Sequence, residues 1–301
     1  MPNVPASVRQ RLLNLARSQR RPFQELLQFY VMERFLYRMS QSEYADCFIL
    51  KGALMLQVWR SPQSRPTRDI DLLGRTDNTP EALAEQIRAI VQTDTLDDGL
   101  VFDADALQAE AIIEDAEYQG VRVRLRATLA GARARLQLDI GFGDAVVPAP
   151  QTMRYPALLD FPAPELLCYS RESAIAEKLQ AMVALGELNS RMKDFYDIWL
   201  LSRQLEFELP SLRDAIEATF ARRQTPLPRQ PLFTERFATE KQPQWEAFIQ
   251  RLNDAGPAAP AFAEVLTTLE RFLGPAVDPS AGLSGNMRWS PGEVWQLVET
   301  G

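Results

Sequence analysis

The chain has 301 residues, of which 46% are hydrophobic and 24% charged, the proportions of an ordinary globular protein with room for about two domains. It contains no histidine, which excludes histidine-based catalysis and histidine-ligated zinc, so any catalysis has to use carboxylates, lysine, hydroxyl groups or a hard metal ion such as Mg²⁺ or Mn²⁺. The net charge of −7 argues against a general nucleic-acid-coating protein, but it leaves room for a local basic patch.

Neither a membrane span nor a disulfide framework is predicted. No run of about 18 apolar residues occurs, and the charged N-terminal stretch lacks the apolar core of a signal peptide. The two cysteines, Cys47 and Cys168, are too few for a disulfide scaffold or a cysteine-ligated zinc site. We therefore expect reduced cysteines and a cytoplasmic protein.

The first half of the chain mixes helical and strand patterns. Apolar residues at helical spacing predict two N-terminal helices, over residues 6–19 and 23–38. Residues 47–59, CFILKGALMLQVW, predict a short buried segment, a turn at Gly52 and then a helix. Thr79 and Pro80 are typical of an N-cap and a first helical turn. Strands are predicted at about 68–74, 109–114, 120–129 and 133–142.

The second half is predicted to be mainly helical. A proline-rich stretch, residues 148–164, marks the crossing between the halves. Helices are predicted beyond it at about 171–186, 191–204, 209–223, 243–254 and 260–273. Residues 274–291 predict a loop before a last short segment that ends at Trp295. The fold class is therefore α+β, with a mixed α/β half followed by a helical half.

The stretch RPTRDIDLLG, residues 65–74, places two aspartates one residue apart in an apolar run. Alternate side chains of a strand share a face, so Asp69 and Asp71 point the same way, together with Thr67 and Arg65. Two carboxylates about 7 Å apart on one face repel each other unless a cation lies between them. The pattern indicates a metal site, and the alternative is the solvated face of an edge strand.

Two features around this pair strengthen the metal-site interpretation. Upstream, Gly52 in ILKGAL precedes a predicted helix, whose free backbone N–H groups and dipole suit a phosphate. Downstream, Asp139 in LQLDIGFG is a carboxylate in a strand whose alternate residues are apolar. A second pair, Asp103 and Asp105 in FDADAL, lacks these surroundings, and we interpret it as a loop or the start of a helix.

The glycine turn, the aspartate pair and the third strand aspartate together resemble the nucleotidyltransferase superfamily. More specifically, the chain resembles the nucleotidyl transferase AbiEii/AbiGii toxin family. Five stretches carry this resemblance in order between about residues 48 and 202, namely LKGALML, RPTRDIDLL, LQLDIGFGD, YSRESAIAEKLQAMV and SRMKDFYDIWLL. The resemblance implies a mixed sheet flanked by helices in residues 1–160. It also implies a helical domain in residues 161–301, whose first two helices close the active-site cleft.

Carried over residue by residue, the resemblance implies three sets of functional residues. The metal-binding set is Asp69, Asp71 and Asp139; the nucleotide-binding set is Lys51, Gly52, Ala53, Arg65, Thr67 and Lys178; the catalytic set adds Lys178 and Asp194 to the three aspartates. One departure matters, because the usual Gly-Ser or Gly-Gly is Gly52-Ala53 here. The missing hydroxyl leaves phosphate binding to backbone N–H groups and nearby cations.

The implied reaction is NTP-dependent, with two divalent ions held by the three aspartates at the α-phosphate and the acceptor hydroxyl. Lys178 is expected to contact the triphosphate, and Asp194 to orient that lysine or the acceptor. Both residues lie close to the apolar faces of their predicted helices, where an unpaired charge is costly. A structural salt bridge between them is the alternative, and the two roles can coexist.

The acceptor implied by the resemblance is RNA, since some family members add nucleotides to the 3′ end of tRNA and members are linked to toxin–antitoxin and phage-defence systems. Arg122, Arg124 and Arg126 share one strand face and are the expected RNA contacts, and Arg133 and Arg135 share a face of the next strand. The alternative is an arginine ladder that keeps the sheet soluble. Transfer to a protein or small molecule, or a nucleotide-binding module without catalysis, stays open, as does a cognate antitoxin partner.

Overall fold

The computed structural model describes residues 3–59, 67–114, 118–229, 231–252, 260–278, 286–292 and 294–298. These residues form two compact units. Within the described part of the chain, the first unit takes residues 3–59, 67–143 and 151–168, and the second takes 144–150 and the residues from 169 onward. Arg65, a predicted nucleotide contact, lies outside the described residues.

The described helices and strands confirm the α+β fold class. The helices are α1 (Val4–Gln19), α2 (Phe23–Gln41), α3 (Met55–Val58), α4 (Pro80–Val91), α5 (Arg171–Leu185), α6 (Met192–Gln204), α7 (Leu209–Arg222), α8 (Glu235–Leu252) and α9 (Phe262–Val277). The strands are β1 (Phe48–Lys51), β2 (Asp69–Gly74), β3 (Leu100–Glu114), β4 (Tyr118–Leu129), β5 (Ala132–Phe142), β6 (Gln151–Arg154), β7 (Glu165–Cys168), β8 (Phe207–Glu208), β9 (Met287–Trp289) and β10 (Trp295–Leu297).

The first unit is built on a seven-stranded mixed sheet with the strand order β3-β4-β5-β2-β1-β7-β6. The central strand β2 pairs antiparallel with β1 and parallel with β5. Alternate residues of the central strands, such as Ile70, Leu72, Leu136 and Leu138, are fully buried in a core shared with α1, α2 and α4. The polar residues of the same strands therefore lie together on the opposite face.

The structure differs from the sequence-based prediction at several places. The predicted loop 274–291 contains β9, and α8 begins at Glu235 rather than near residue 243. FDADAL is neither a loop nor a helix start, because Asp103 and Asp105 lie within β3 next to an irregularity in its pairing with β4. That irregularity breaks the strict alternation by which a strand is recognised. The proline-rich stretch contains β6, and the turn at Gly52 leads only into a single-turn helix, α3.

The second unit is mainly helical and contains helices α5 to α9 and a small sheet with the order β10-β9-β8. Aromatic rings join α9 to this sheet, with Phe272 stacked on Trp295 at 5.8 Å and edge-on to Trp289 at 4.9 Å. Both cysteines, Cys47 and Cys168, are free thiols, as predicted. Among the described residues, no helix has the length and apolar character needed to cross a membrane.

Candidate active site

Gly52 lies where β1 ends, directly against the carboxylate of Asp71. Its φ of +71° is in the left-handed region that favours glycine. A Cβ placed on Gly52 would overlap the Asp71 side chain, with Cγ only 2.6 Å away. Glycine is thus required both by the backbone angle and by the close approach of the carboxylate. The glycine turn and the aspartate pair, which are distant in the sequence, form one site.

The strand register places a row of charged residues across the polar face of the sheet. Asp71 is paired with Lys51 on β1 and with Asp139 on β5, while Asp139 is paired with Arg122 on β4 and Arg122 with Glu110 on β3. Residues that are directly opposite on neighbouring strands share a face, with Cβ atoms about 5 Å apart. The two carboxylates Asp71 and Asp139 therefore lie between two cations, and Lys51 is only 8% exposed.

Asp69 lies beside Asp71 on the same face, and local hydrogen bonds orient its carboxylate. The Thr67 hydroxyl donates to Asp69 Oδ1 at 3.2 Å, and the Arg68 backbone N–H donates to the same oxygen at 3.0 Å. Thr67, predicted to bind the nucleotide, thus contacts an aspartate of the predicted metal pair. Both hydrogen bonds are accepted by Oδ1. They orient the carboxylate without using Oδ2.

Asp139, the third predicted metal ligand, forms a bidentate ion pair with Arg122. Arg122 Nε lies 2.7 Å from Oδ1 and Nη2 lies 2.8 Å from Oδ2, which also accepts a bond from Gln137 Nε2 at 3.2 Å. The hydrogen bond with Asp139 raises the pKa of the Arg122 guanidinium, and the charges of Asp69 and Glu110 act in the same direction. Asp139, predicted to bind metal, and Arg122, predicted to bind RNA, therefore form an ion pair with each other. The Asp139 side chain is buried and the Arg122 side chain is half-buried.

The residues present fit a metal ion that shares its coordination with a phosphate. Within the described ranges, no three acidic or cysteine side chains are grouped closely enough to hold a metal ion unaided. Mg²⁺ in phosphate-transfer sites, however, is usually held by one or two carboxylates together with substrate phosphates. Asp69 and Asp71 provide such a pair next to the Gly52 turn. Asp139 could join them only by sharing its oxygens with Arg122 and Gln137, so its role as a ligand stays a prediction.

Lys178, on α5 of the second unit, is held between two aspartates of α6. Its Nζ donates to Asp194 Oδ1 at 2.9 Å and to Asp197 Oδ2 at 2.8 Å. Arg191 Nε lies 2.8 Å from the other Asp194 oxygen. Burial alone would raise the pKa of Asp194, but the charges of Lys178, Arg191 and Lys193 outweigh it, and the pKa is lowered. Asp194 is therefore ionised and firmly paired.

The network around Lys178 contains the salt bridge with Asp194 that the sequence offered as the alternative to a catalytic role, and it adds Asp197 as a partner that was not predicted. Asp197 lies three residues after Asp194, so both are on one face of α6. This i, i+3 spacing was visible in KDFYD and could have indicated a shared cation. The catalytic roles implied for Lys178 and Asp194 stay predictions.

A second hydrogen-bond network that the sequence did not predict begins at the last residue of LQLDIGFGD, residues 136–144. Asp144, its last residue, accepts a hydrogen bond from Arg223 Nη2 at 2.9 Å, and Arg223 Nη1 donates to Gln180 at 2.8 Å. Tyr169 donates to Glu177 at 2.8 Å in the same unit. No local spacing could have indicated the Asp144–Arg223 pair, because 79 residues separate its members.

The three predicted RNA-contacting arginines have different environments. Arg122 is tied to Asp139, and Arg124 donates to Glu110 at 2.6 Å and to Gln137 at 3.3 Å. Arg126, two residues further along β4, is exposed and pairs in register with Arg135 of β5. The face predicted to bind RNA is therefore partly neutralised by acidic residues of its own sheet.

Comparison with known proteins identifies one family. A family model described as nucleotidyl transferase AbiEii toxin, type IV toxin–antitoxin system, matches residues 34–268, well over half of the chain. Among curated proteins, none matches the chain.

Two solved structures from Helicobacter pylori resemble the chain. One is a candidate nucleotidyltransferase and the other is JHP933. Each is 14% identical, with a TM-score of 0.48 over 84% of this chain, and the matches cover 94% and 91% of the two neighbours respectively. At this level of similarity, neither bears on the activity of the chain.

Proposed function

Since the chain belongs to the nucleotidyl transferase AbiEii toxin family, we propose that it transfers a nucleoside monophosphate from an NTP to the 3′ end of tRNA and thereby blocks translation. The family assignment supports a nucleotidyltransferase of toxin–antitoxin type. The tRNA acceptor, the dependence on Mg²⁺ and the role in phage defence are the proposed part. A cognate antitoxin is a proposed partner.

The observation that carries this proposal is the packing of the Gly52 backbone against the Asp71 carboxylate. A phosphate-binding turn and a metal-binding carboxylate have to be adjacent if one triphosphate is to engage both. No other residue type would allow the contact at Gly52, because a side chain there would overlap Asp71.

Five residues of the first unit have a definite part in the proposal. Asp69 and Asp71 would hold Mg²⁺, which when bound neutralises phosphate charge and lowers the pKa of an attacking hydroxyl. The Gly52 turn would offer backbone N–H groups to the phosphate in place of the missing serine hydroxyl. Thr67 keeps the Asp69 carboxylate in position through its hydrogen bond, and Lys51 places a positive charge beside Asp71.

The second unit contributes to the proposal through Lys178, as the family resemblance implies. Its ammonium group is already paired with Asp194 and Asp197. These two ion pairs fix the direction of the ammonium group, and its contact with the triphosphate is part of what we propose.

The proposal is tested by incubating the purified protein with deacylated total tRNA, Mg²⁺ and each α-³²P-labelled NTP in turn. We expect label on tRNA with one NTP, and loss of that label on addition of EDTA. The Asp69→Asn/Asp71→Asn variant should lose the label by at least about 100-fold, because the metal-binding carboxylates are removed.

The chain offers a matched control in its second aspartate pair. Asp103→Asn/Asp105→Asn makes the same chemical change within β3, and asparagine keeps the oxygen that accepts the Ala106 N–H at Asp103. This variant should label tRNA at least as well as the wild type, because Asp103 is opposite Arg126 and neither aspartate is a candidate metal ligand. Label on the protein itself or on a small molecule would show that the acceptor is not tRNA. Nucleotide binding without any transfer would contradict an enzymatic role.

A further inference from the structure

Three arginines that form no ion pair in the described part of the chain lie together on the polar face of the sheet. Arg126 of β4 and Arg133 and Arg135 of β5 are all exposed, and Arg126 is directly opposite Arg135 in the register. Arg133 comes two residues before Arg135 and therefore lies on the same face. We refer to Arg126, Arg133 and Arg135 as the three-arginine cluster.

The cluster differs from Arg122 and Arg124 of this face in forming no ion pair with a described residue. Asp103 of β3 is directly opposite Arg126 in the register, but its carboxylate accepts the Ala106 N–H instead. Arg122 is bound to Asp139 and Arg124 to Glu110. Within the described ranges, none of the three cluster arginines forms an ion pair. Like charges directly opposite on neighbouring strands destabilise a sheet. In a chain with 40 acidic residues, three adjacent arginines that form no ion pair with any of those the structure describes indicate an anion from outside the chain.

The backbone that carries the cluster is fixed by helix α2. Among the described residues, β2 pairs with β5 only from Gln137 onward, so no described strand bonds to the earlier carbonyl groups of β5 on that side. Gln24 Nε2 donates to the Arg133 carbonyl at 3.0 Å, and Gln28 Nε2 donates to the Arg135 carbonyl at 2.9 Å. The side chains of Arg133 and Arg135 are thus presented from a strand edge held in place by hydrogen bonds.

The cluster lies in line with the aspartates of the candidate site. Asp69 is paired with Gln137, and Arg135 and Arg133 precede Gln137 by two and four residues on the same face. These steps correspond to about 7 and 13 Å along the strand. Successive phosphates of an extended single strand follow one another at a similar spacing, and guanidinium groups bind phosphate oxygens in a bidentate manner.

We propose that the three-arginine cluster binds consecutive phosphates of the single-stranded 3′ end of the RNA acceptor, which runs along β5 towards Asp69. The proposal rests on the function proposed above, because the acceptor hydroxyl has to arrive beside Asp69 and Asp71. Compared with the sequence-based prediction, the proposal keeps Arg126 as an RNA contact. It replaces Arg122 and Arg124, which are ion-paired, by Arg133 and Arg135 of β5.

The test measures RNA binding without NTP, so that binding is separated from transfer. The dissociation constant of labelled deacylated tRNA, and of a single-stranded RNA oligonucleotide, is measured at several salt concentrations for the wild type and for Arg126→Gln/Arg133→Gln/Arg135→Gln. We expect the variant to bind at least about tenfold more weakly and its slope of log K against log salt to fall by about 2, since each lost phosphate contact to a single strand removes about 0.7.

A control variant removes the same charge elsewhere. Arg17→Gln/Arg229→Gln/Arg251→Gln changes three exposed arginines that are not part of the sheet, and it should bind RNA like the wild type. The cluster variant should unfold at no lower temperature than the wild type, because removing like charges relieves repulsion. Equal weakening in both triple variants, or unchanged binding in the cluster variant, would overturn the proposal.

The two proposals fail in different ways. A wild-type protein that labels another acceptor and binds no RNA would overturn the cluster as an RNA site. RNA binding that depends on the cluster, in a protein that transfers no nucleotide, would support the cluster and overturn the enzymatic function instead.

Discussion

At the scale of single residues, the candidate site depends on how closely the backbone at Gly52 approaches Asp71. The sequence predicts a phosphate-binding turn before a helix at Gly52 and a metal ligand at Asp71, but not a contact between the two residues. The structure shows a one-turn helix and a carboxylate in contact with the glycine. The reason for the glycine is therefore steric as well as conformational.

Replacing Gly52 by alanine should abolish activity and destabilise the protein. The left-handed backbone costs alanine about 1 kcal/mol, and the overlap with Asp71 adds about 1–3 kcal/mol or displaces the carboxylate. Urea unfolding and the tRNA-labelling assay measure the two effects.

Gly131→Ala is the matched control for this prediction. Gly131 has a φ of +82°, and no atom lies within 4 Å of the position that a Cβ would take there. The control should therefore show only the backbone cost and should keep its activity. Equal losses of stability in the two variants would contradict the steric role of Asp71.

Arg122→Gln should destabilise the protein more than Arg124→Gln on the same strand. The first change leaves the 7% exposed Asp139 carboxylate without its cation, which we expect to cost about 2–3 kcal/mol. The second removes a pair whose side chains are 44% and 55% exposed, and such surface pairs contribute at most about 1 kcal/mol. Chemical unfolding of both variants checks the difference, and equal values would mean that Asp139 does not depend on Arg122.

At the scale of elements, the apolar spacing of α2 predicted the helix but not the charged residues that it buries. Its apolar spacing predicted a helix over 23–38, and the structure has one over Phe23–Gln41. The same helix buries Glu33, Arg34 and Arg38, which the pattern could only have placed at the surface. Their partners, among them Asp98 and the Leu158 N–H, come from distant parts of the chain.

Burial of Glu33 should make folding stability depend on pH. Burial raises the pKa of Glu33 from 4.5 to about 7, against the opposing effects of Arg34 and of the Leu158 N–H. A carboxyl group with a raised pKa binds its proton more tightly in the folded state, so stability falls as the pH rises from about 4.5 to about 7. Glu33→Gln lacks this titration. The unfolding free energy of the wild type should fall relative to the variant by at most about 3 kcal/mol over this range.

Urea unfolding at pH 5, 6, 7 and 8 measures this pH dependence. Glu43→Gln, at an exposed position just after α2, serves as the control for the loss of one carboxylate. Parallel pH profiles for the wild type and Glu33→Gln would contradict the prediction.

At the scale of the whole molecule, net charge is a poor guide to where an anionic partner could bind. The chain carries a net charge of −7, yet the polar face of its sheet holds a cluster of three arginines without acidic partners in the described part of the chain. Two arginines of the same face are neutralised locally. The RNA binding that we propose for this acidic protein would therefore depend on this local arrangement.

The sequence by itself determined the fold class, the positions of most helices and central strands, and the identity of the glycine turn and aspartate pair. These follow from local periodicity, capping residues and strand parity, which depend only on neighbours along the chain. The tertiary structure alone decided that Asp139 belongs to Arg122, that Lys178 lies between two aspartates, and that Arg126 meets Arg135. The physical reason is that these pairings depend on strand register and helix packing, which bring together charges that are distant in the sequence.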